Sequence, residues 1–394
     1  MANGRFRIFI LGAGFSKPAG YPLAPELWQE IRRRARSLEG RAAKFETDLS
    51  SYLQYRRDCD GVQIAEDAVD FEDFCRFLDI EPFLGLRGSD TWSQDGNEGT
   101  VVVKTLLGQI LAELTQPTDE VPDLYLNFAR GLQPNDYVLT FNYDILLERA
   151  LDAVGTPYRL FPSRYEFATD RSAVVDNSRD EVVVLKLHGS IDWFDRSQYS
   201  ELGKAISEWD SQYRHAGSAE RPVHPVFGPS GDDLKLRKLL DGPRFSHDPL
   251  DEMYRVDDVK TLYRRRWMFL ATPWLLAPST MKILYAAKLA DFWHGLGSAG
   301  VLNFGLAIIG YSLPPQDDYA RQAVHGIVTN YQTEYWGQEV FEKRKTPLVI
   351  VDYRQNEGEI RDFKDRYRFV DWDRAVAYCD GFDQKSLSLI FSSG

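Results

Sequence analysis

A short apolar run near the start of the chain ends abruptly in glycines, and this junction limits the folds the chain can adopt. Residues 6–11 are mostly strand formers, and Gly12-Ala13-Gly14 follow at once. An apolar run closed by glycines is typical of a buried strand in a parallel sheet, and glycines let a backbone approach a ligand closely. A helix starting near Ser16 would point its free amide groups at the same place, which favours an anion.

The dinucleotide-binding fingerprint of dehydrogenases is not completed after this turn. That fingerprint requires G-x-G-x-x-G and an acidic residue about 20 positions later, at the end of a second strand. Here Lys17 and Pro18 follow the first glycines, and residues 31–49 have a helical pattern. This disfavours an oxidoreductase. Taken alone, the glycine turn is equally compatible with an ordinary tight turn.

Composition and charge exclude several other classes of protein. The net charge of −12 argues against broad nonspecific binding of nucleic acid, which depends on neutralising phosphates. The two arginine clusters, 32–34 and 264–266, are expected to be solvated helix faces or salt-bridge partners. No apolar run reaches the roughly 20 residues of a membrane helix, and residues 5–11 lack the cleavage site of a signal peptide. We expect a cytoplasmic protein without membrane contact.

The cysteines and histidines form no recognisable metal-binding pattern. Cys59, Cys75 and Cys379 lie far apart without a C-x-x-C pair, and the six histidines form no H-E-x-x-H motif. This excludes a four-cysteine zinc site and a disulfide framework, and it suits a reducing compartment. We therefore expect no metal.

Strand-like and helix-like segments alternate along most of the chain, which predicts a parallel sheet with helices on both faces. Further strands are predicted at residues 137–141, 182–187, 274–277, 304–309 and 348–351. Helices are predicted at residues 26–53, 65–84, 101–114, 144–151, 283–296 and 317–331.

The length of 394 residues favours two structural units. A plain doubly wound fold would join its first two strands through one helix. The several helices between them instead predict an inserted helical module at residues 26–119. Residues 1–25 with 120–394 are predicted to form the sheet domain, with a loop-rich excursion at 195–266.

Polar residues follow several of the predicted strands, where parallel sheets bind their ligands. The strand ends carry the motifs GAGFS at 12–16, TFNYD at 140–144, LHGS at 187–190 and GYS at 310–312. Asn142 offers an amide, Asp144 a carboxylate, and His188 a base that titrates near neutral pH.

Each of these three residues also has a purely structural interpretation. Asn142 could cap the following helix, Asp144 could lie in its first turn, and His188 could be a hydrogen-bonded core histidine. Taken singly, the structural interpretations are favoured. The convergence of several such motifs on one edge of a sheet favours a site.

At these motifs the sequence resembles the Sir2-like proteins, whose pattern is a GAG-x-S loop, a T-x-N-x-D strand end, an H-G strand end and a late G-x-S loop. The chain carries all four in that order. The resemblance spans residues 6 to about 352. It is closest to a bacterial branch with TFNYD and LKLHGSIDW, whose members act in phage defence. It implies a Sir2-type, Rossmann-like parallel sheet with an inserted helical module and no zinc ribbon.

The resemblance implies an NAD+ site at the strand ends. Asp144 would hold the nicotinamide carboxamide, Asn142 would position ribose and water, and His188 would be the base that activates the ribose. The phosphates would lie against the glycine loop and Ser312. The implied NAD-binding residues are Gly12, Ala13, Gly14, Phe15, Ser16, Thr140, Gly310, Tyr311, Ser312 and Asp352.

Departures from the deacetylating sirtuins bear on the reaction. The four-cysteine zinc module is missing, and Leu23-Ala24-Pro25 stand where those enzymes carry a D-F-R segment. No groove for a protein substrate is recognisable. The resemblance thus favours water as the acceptor, which makes the chain a NAD+ glycohydrolase that releases nicotinamide and ADP-ribose. A non-catalytic sensor of NAD or ADP-ribose and a protein deacylase are the alternatives.

The same branch implies partners. Chains of this size in it often work with a separately encoded protein, such as a HerA-type ATPase or a short Argonaute. An enzyme that destroys NAD+ must be restrained in its own cell, so we expect a homo-oligomer whose activity depends on assembly or on a partner protein. The expected interfaces include the helical module or the excursion at 195–266. The apolar faces of the module include residues 71–77 and 106–111, and most of these residues are expected to pack within the chain.

Overall fold

The computed structural model describes residues 6–39, 43–86, 98–169, 172–176, 178–197, 199, 224–227, 232–241, 250–265, 268, 271–279, 282–315, 317–339 and 343–391. Its strands are β1 (Arg7–Leu11), β2 (Tyr137–Thr140), β3 (Tyr158–Arg159), β4 (Tyr165–Thr169), β5 (Ser172–Val175), β6 (Val182–Lys186), β7 (Trp193–Asp195), β8 (Leu236–Lys238), β9 (Met253–Val256), β10 (Gly305–Ile309), β11 (Leu348–Val351) and β12 (Ala375–Tyr378). Its α-helices are α1 (Ala13–Ser16), α2 (Ala24–Ala35), α3 (Lys44–Asp60), α4 (Phe71–Leu84), α5 (Glu98–Leu114), α6 (Asp123–Gly131), α7 (Leu146–Val154), α8 (Val259–Tyr263), α9 (Ala290–Trp293), α10 (Asp318–Thr333), α11 (Glu357–Arg366) and α12 (Gln384–Phe391).

A parallel sheet of seven strands forms the centre of the fold, in the order β12–β11–β10–β1–β2–β6–β3. Strand β1 lies between β10 and β2, and Leu11 is in register with both Ile309 and Thr140. Residues 8–11 are all buried, as expected for a strand covered by helices on both faces. The predicted parallel α/β sheet is confirmed.

Two smaller sheets lie outside the central one. Strands β4 and β5 form an antiparallel hairpin, and β7, β9 and β8 form a three-stranded antiparallel sheet. Only parts of the predicted loop-rich excursion at 195–266 are described, and this prediction stays a prediction. The second sheet takes two of its strands, β8 and β9, from this region. Its strands are three or four residues long, too short for a clear alternating pattern in the sequence.

The helices α2 to α6 lie between β1 and β2 in the chain. Helix α5 is buried along most of its length and packs against α2, α3, α4 and α8. The apolar faces at 71–77 and 106–111 are thereby largely covered within the chain, since Phe74 and Leu107 are 0% exposed. Whether this block forms a separate module at residues 26–119 stays a prediction.

The arginines at 32–34 are paired, which confirms the salt-bridge interpretation of that cluster. Arg32 bonds to Glu46 and Glu66, Arg33 to Glu30, and Arg34 to Glu30 and Glu113. In the second cluster Arg265 pairs with Asp233, and residue 266 lies outside the described residues.

Three element predictions are wrong. The predicted helix at 26–53 is two helices, α2 and α3, with the poor helix former Gly40 in the intervening sequence. Residues 274–277 make only one isolated bridge, between Leu275 and Gly189, because Pro273 and Pro278 flank a very short segment. The predicted helix at 283–296 is mostly 3₁₀ helix, Lys282–Leu289, followed by the single turn of α9.

None of the helices in the described ranges combines the length and the hydropathy that crossing a bilayer requires.

The loops that follow β1 and β10 touch through their backbones. The amide of Gly14 donates to Gly310 O at 2.9 Å, and that of Gly12 to Ile309 O at 3.0 Å. A Cβ on Gly14 would lie 2.7 Å from Gly310 Cα, and a Cβ on Gly310 would lie 2.3 Å from the Gly14 carbonyl carbon. These glycines are therefore required by the contact between two backbones, and not only by the approach of a ligand.

Replacing Gly310 should test this contact. Gly310 has a φ of +62° and a crowded Cβ position, whereas Gly337 has a φ of +74° with nothing within 4 Å. We expect Gly337→Ala to lower the free energy of unfolding by about 1 kcal/mol, from backbone strain alone. Gly310→Ala should cost about 2 kcal/mol more, because overpacking adds to the strain. Urea denaturation of both variants measures the difference, and equal losses would contradict the proposed crowding.

Candidate active site

Three polar side chains join the ends of β1 and β2. Asn142 Nδ2 donates to Gly12 O at 3.0 Å and lies 3.2 Å from Ser16 Oγ. Ser16 Oγ in turn donates to Asp144 Oδ2 at 2.8 Å. Asn142 and Asp144 are each 8% exposed, and Ser16 is 1% exposed. The structure therefore brings the GAGFS and TFNYD motifs into one connected and largely buried cluster.

The connection between β2 and α7 carries Asn142 and Asp144 just before the helix. Asp144 Oδ1 accepts a hydrogen bond from Leu146 N at 3.0 Å, and α7 begins at Leu146. The N-cap position is Ile145, so neither Asn142 nor Asp144 occupies it, and the helix starts two residues later than predicted. The amide of Asn142 donates to Thr140 Oγ1 at 3.1 Å, so Thr140 shapes the turn. The Asn142 side chain is directed to the glycine loop.

His188 follows β6 and is also buried, at 3% exposure. Its Nε2 lies 2.8 Å from the hydroxyl of Tyr319, with donor and acceptor set by the histidine tautomer. Its ring packs edge-on against Phe141, with 5.0 Å between centroids. His188 thus has the surroundings of a hydrogen-bonded core histidine while it occupies a strand end next to the Asn142 cluster. Tyr319, in the first turn of α10, was not predicted, although it closely follows the GYS motif.

Aromatic side chains cover the space beside His188. Tyr311 stacks on Phe141, with 4.3 Å between centroids and 15° between planes. Trp293 contacts the rings of both Phe141 and Tyr319. Burial raises the pKa of the Tyr311 and Tyr319 hydroxyls, so both stay neutral. This aromatic cover leaves His188 only 3% exposed.

A buried pair of opposite charges lies behind the β2–α7 connection. Lys186 Nζ donates to the backbone oxygen of Asp144 and lies 2.9 Å from Glu148 Oε1. Burial raises the pKa of Asp144, and the positive charge of Lys186 opposes this shift. Burial likewise raises the pKa of Glu148. Neither Lys186 nor Glu148 was predicted; the available signal was one lysine at the end of the apolar run VVVLK.

The amides of the glycine loop are partly used within the chain. Gly12 and Gly14 donate across to β10 and its loop, and Phe15 N donates to Gly12 O at 2.9 Å. The helix expected near Ser16 is the single turn of α1, followed by a 3₁₀ turn, Lys17–Ala19. In this conformation these three amides face backbone oxygens and not a phosphate.

The remaining predicted residues differ in their placement. Ala13 is exposed, whereas Phe15 is buried against Tyr125, Phe128 and Phe382. Ser312 is exposed, with its carbonyl oxygen 3.5 Å from Arg366 Nη1.

Asp352 follows β11, two strands from β1, and its carboxylate bonds to Arg354 Nη2 at 2.7 Å. Burial raises the pKa of Asp352. The structure thus places Ser312 beside Arg366 and Asp352 beside Arg354, each after a strand on the β10 side of β1.

Two well-formed cavities lie elsewhere in the described part of the chain, at the β3 edge of the sheet. They have volumes of about 630 Å³ and 420 Å³ and share Asp152, Tyr158, Arg237 and Arg255 in their walls. The predicted residues line neither of them.

The described residues contain no group of three or more side chains placed to hold a metal ion. Cys59, Cys75 and Cys379 are present as free thiols.

Comparison with known proteins bears on the segment that holds this cluster. Residues 136–241 match the family model of a SIR2-like domain. Similar solved structures include one described as "The Structural basis of Sirtuin Substrate Affinity" (13% identity, TM-score 0.31, 99% of this chain and 94% of that chain covered). Another is of Sir2Tm bound to a propionylated peptide (12% identity, TM-score 0.29, 99% and 93% covered). TM-scores this low carry no argument, and no curated protein matches the chain. The segment with Asn142, Asp144 and His188 is therefore similar to a SIR2-like domain.

Proposed function

We propose that the chain is a NAD+ glycohydrolase. The observation that carries this proposal is the hydrogen-bonded cluster of Ser16, Asn142 and Asp144, with His188 on the next strand end. Three of the four side chains belong to the segment similar to a SIR2-like domain, a likeness that supports chemistry on NAD in general. The choice of hydrolysis over deacylation is our inference from the sequence.

The reaction needs only NAD+ and water. The bond between ribose C1′ and the nicotinamide nitrogen breaks, and nicotinamide leaves with the bonding electron pair. Water forms the new C1′–O bond and loses a proton, which leaves ADP-ribose, nicotinamide and H+. The transition state resembles the oxocarbenium ion of glycoside cleavage, and binding that orients the ribose and the water lowers its barrier.

We assign a role to each side chain of the site. From the resemblance to Sir2-like proteins, Asn142 would orient the ribose and the attacking water, and Asp144 would accept hydrogen bonds from the nicotinamide carboxamide. His188 is the group that would hold or accept a proton from the ribose. A ribose hydroxyl that bonds to His188 Nε2 must displace Tyr319, whose hydroxyl already occupies this ring nitrogen.

The second candidate function is a sensor that binds NAD or ADP-ribose without turnover. The observation that favours it is the closure of the site: His188 is 3% exposed and already hydrogen-bonded. A closed site also suits a restrained enzyme, which would be opened by assembly or by a partner.

The cellular role that we propose is depletion of NAD+ in the cytoplasm during phage infection. In the uninfected cell, NAD+ cleavage would be restrained by assembly into a homo-oligomer or by a separately encoded protein, such as a HerA-type ATPase. This part of the proposal rests on the resemblance of the TFNYD and LKLHGSIDW motifs to the bacterial defence branch.

Replacing Asn142 or His188 should abolish the reaction. We expect Asn142→Ala and His188→Ala each to reduce release of nicotinamide from NAD+ by at least about a hundredfold, the usual scale for a lost general base. His325→Ala is the matched control, because His325 lies on the exposed side of α10 against Phe369. Wild-type rates in either site variant would remove the assigned roles.

Binding and turnover can be separated in the same experiment. Calorimetry with ADP-ribose measures binding, and chromatography of nicotinamide measures cleavage. Binding that depends on Asn142, without release of nicotinamide from the wild-type protein under any tested assembly state, would favour the sensor.

Removal of metals should leave the activity intact. The proposed chemistry uses the amide, carboxylate and imidazole groups of the site, and none of its steps requires a cation. We expect unchanged turnover of NAD+ after dialysis against EDTA, and less than one equivalent of zinc by elemental analysis. One tightly bound zinc per chain, with activity lost on its removal, would contradict this.

Activity should depend on assembly. We expect light scattering to detect a homo-oligomer and specific activity to fall as the protein is diluted below its dissociation constant. A strict monomer with full, concentration-independent activity in the absence of any partner would rule out this form of restraint.

A further inference from the structure

A buried lysine lies directly behind the connection that carries Asn142 and Asp144. The side chain of Lys186, the last residue of β6, is 0% exposed. Its Nζ donates to the backbone oxygen of Asp144 and pairs with Glu148 in the first turn of α7. Lys186 therefore joins three elements: β6, the β2–α7 connection and α7.

The stability of the fold does not by itself explain a lysine at this position. Removing an ammonium ion from water costs several kcal/mol, and a buried ion pair is often no more stabilising than apolar side chains of the same volume. The other residues of β6 are Val182, Val183, Val184 and Leu185, all buried. What the lysine adds is a directed hydrogen bond to Asp144 O and a positive charge beside the Asp144 carboxyl.

We propose that Lys186 is a positioning residue, which holds the β2–α7 connection in the conformation that the candidate active site requires. In that conformation Asn142 Nδ2 reaches Gly12 O at 3.0 Å, and Asp144 Oδ2 accepts from Ser16 Oγ at 2.8 Å. Lys186 holds the connection through the backbone oxygen of Asp144, whereas Ser16 bonds to the Asp144 carboxylate. The inference rests on the proposed function only in the assumption that NAD+ binds to these side chains.

Lys186 also acts on the charge of Asp144. Burial raises the pKa of Asp144, and the ammonium group of Lys186 lowers it. Without that positive charge the pKa of Asp144 rises further, so the carboxyl takes up a proton at a higher pH. A protonated Asp144 carboxyl carries a donor of its own, which conflicts with the hydrogen bond that it now accepts from Ser16 Oγ. The other titratable or charged groups that act on Asp144 or on its neighbour Glu148 include Tyr21, Tyr125, Tyr158, Asp192 and Arg255.

The test replaces both charges of the buried pair, because removal of one partner alone would leave the other buried and unpaired. The double variant Lys186→Met with Glu148→Gln keeps the volume and removes the charges. The matched control is Arg7→Met with Asp136→Asn. Arg7 Nη2 and Asp136 Oδ2 are 2.5 Å apart, and this pair lies at the opposite end of β1 and β2.

The first readout needs no catalysis. Carbon-13 NMR of labelled aspartate carboxyl groups, with Asp144→Asn to assign the signal, follows the protonation of Asp144 in the whole chain. We expect its titration midpoint to rise by at least about one pH unit in the Lys186 double variant, the scale of an opposite charge at close range. In the Arg7 control the midpoint should stay at the wild-type value.

The second readout is the kinetics of NAD+ cleavage. We expect the KM for NAD+ to rise about tenfold, equivalent to 1.4 kcal/mol, in the Lys186 double variant. The acidic limb of kcat/KM should move to higher pH together with the Asp144 midpoint. The Arg7 control should be less stable than the wild type but keep its KM for NAD+ and the pH of its acidic limb. This outcome separates the positioning role of Lys186 from a general loss of stability.

An unchanged Asp144 midpoint in the folded Lys186 double variant would overturn the proposal, as would an unchanged KM. If the methionine variant does not fold, Lys186→Gln with Glu148→Gln keeps hydrogen-bonding amides without charge and is judged by the same two readouts. If the wild-type protein fails to cleave NAD+, the proposed function fails, and the Asp144 titration still decides the role of Lys186.

Discussion

The parallel pairing of β1 with β10 on one side and β2 on the other is the constraint on which the candidate site depends. It places the residues after all three strands at one edge of the sheet, with Leu11 level with Ile309 and Thr140. Because Gly14 and Gly310 have no side chains, the two loops meet backbone to backbone. Only with the loops in this contact is the carbonyl oxygen of Gly12 presented to Asn142.

Much of this arrangement was predictable from the sequence, because it is encoded locally. Strands β1 and β6 are largely apolar runs, interrupted only by Arg7 at the start of β1 and Lys186 at the end of β6. They are followed closely by Gly12-Ala13-Gly14 and His188-Gly189. The rule that the ends of parallel strands share one edge then predicts their convergence. The short strands β7, β8 and β9 escaped prediction, since three or four residues give no readable period.

The contacts that decide the chemistry were not predictable in the same way. The hydrogen bonds of Asn142 and Asp144 with Ser16 join residues that lie more than a hundred positions apart in the chain. The partners Lys186 and Tyr319 depend on how β6 and α10 are placed against the β2–α7 connection. Local propensity carries no information about such distances, so composition and spacing suggested candidates but not their hydrogen bonds.

The hydroxyl of Tyr319 gives His188 the same kind of partner that a sugar hydroxyl would give it. A ligand that enters would exchange one O–H and imidazole hydrogen bond for another, and an exchange of equal bonds contributes almost nothing to affinity. The aromatic ring must nevertheless leave its contacts with Trp293 and His188 before the exchange can occur. Under the proposed function, the need to break this contact would slow the binding of a ligand more than it would weaken its affinity.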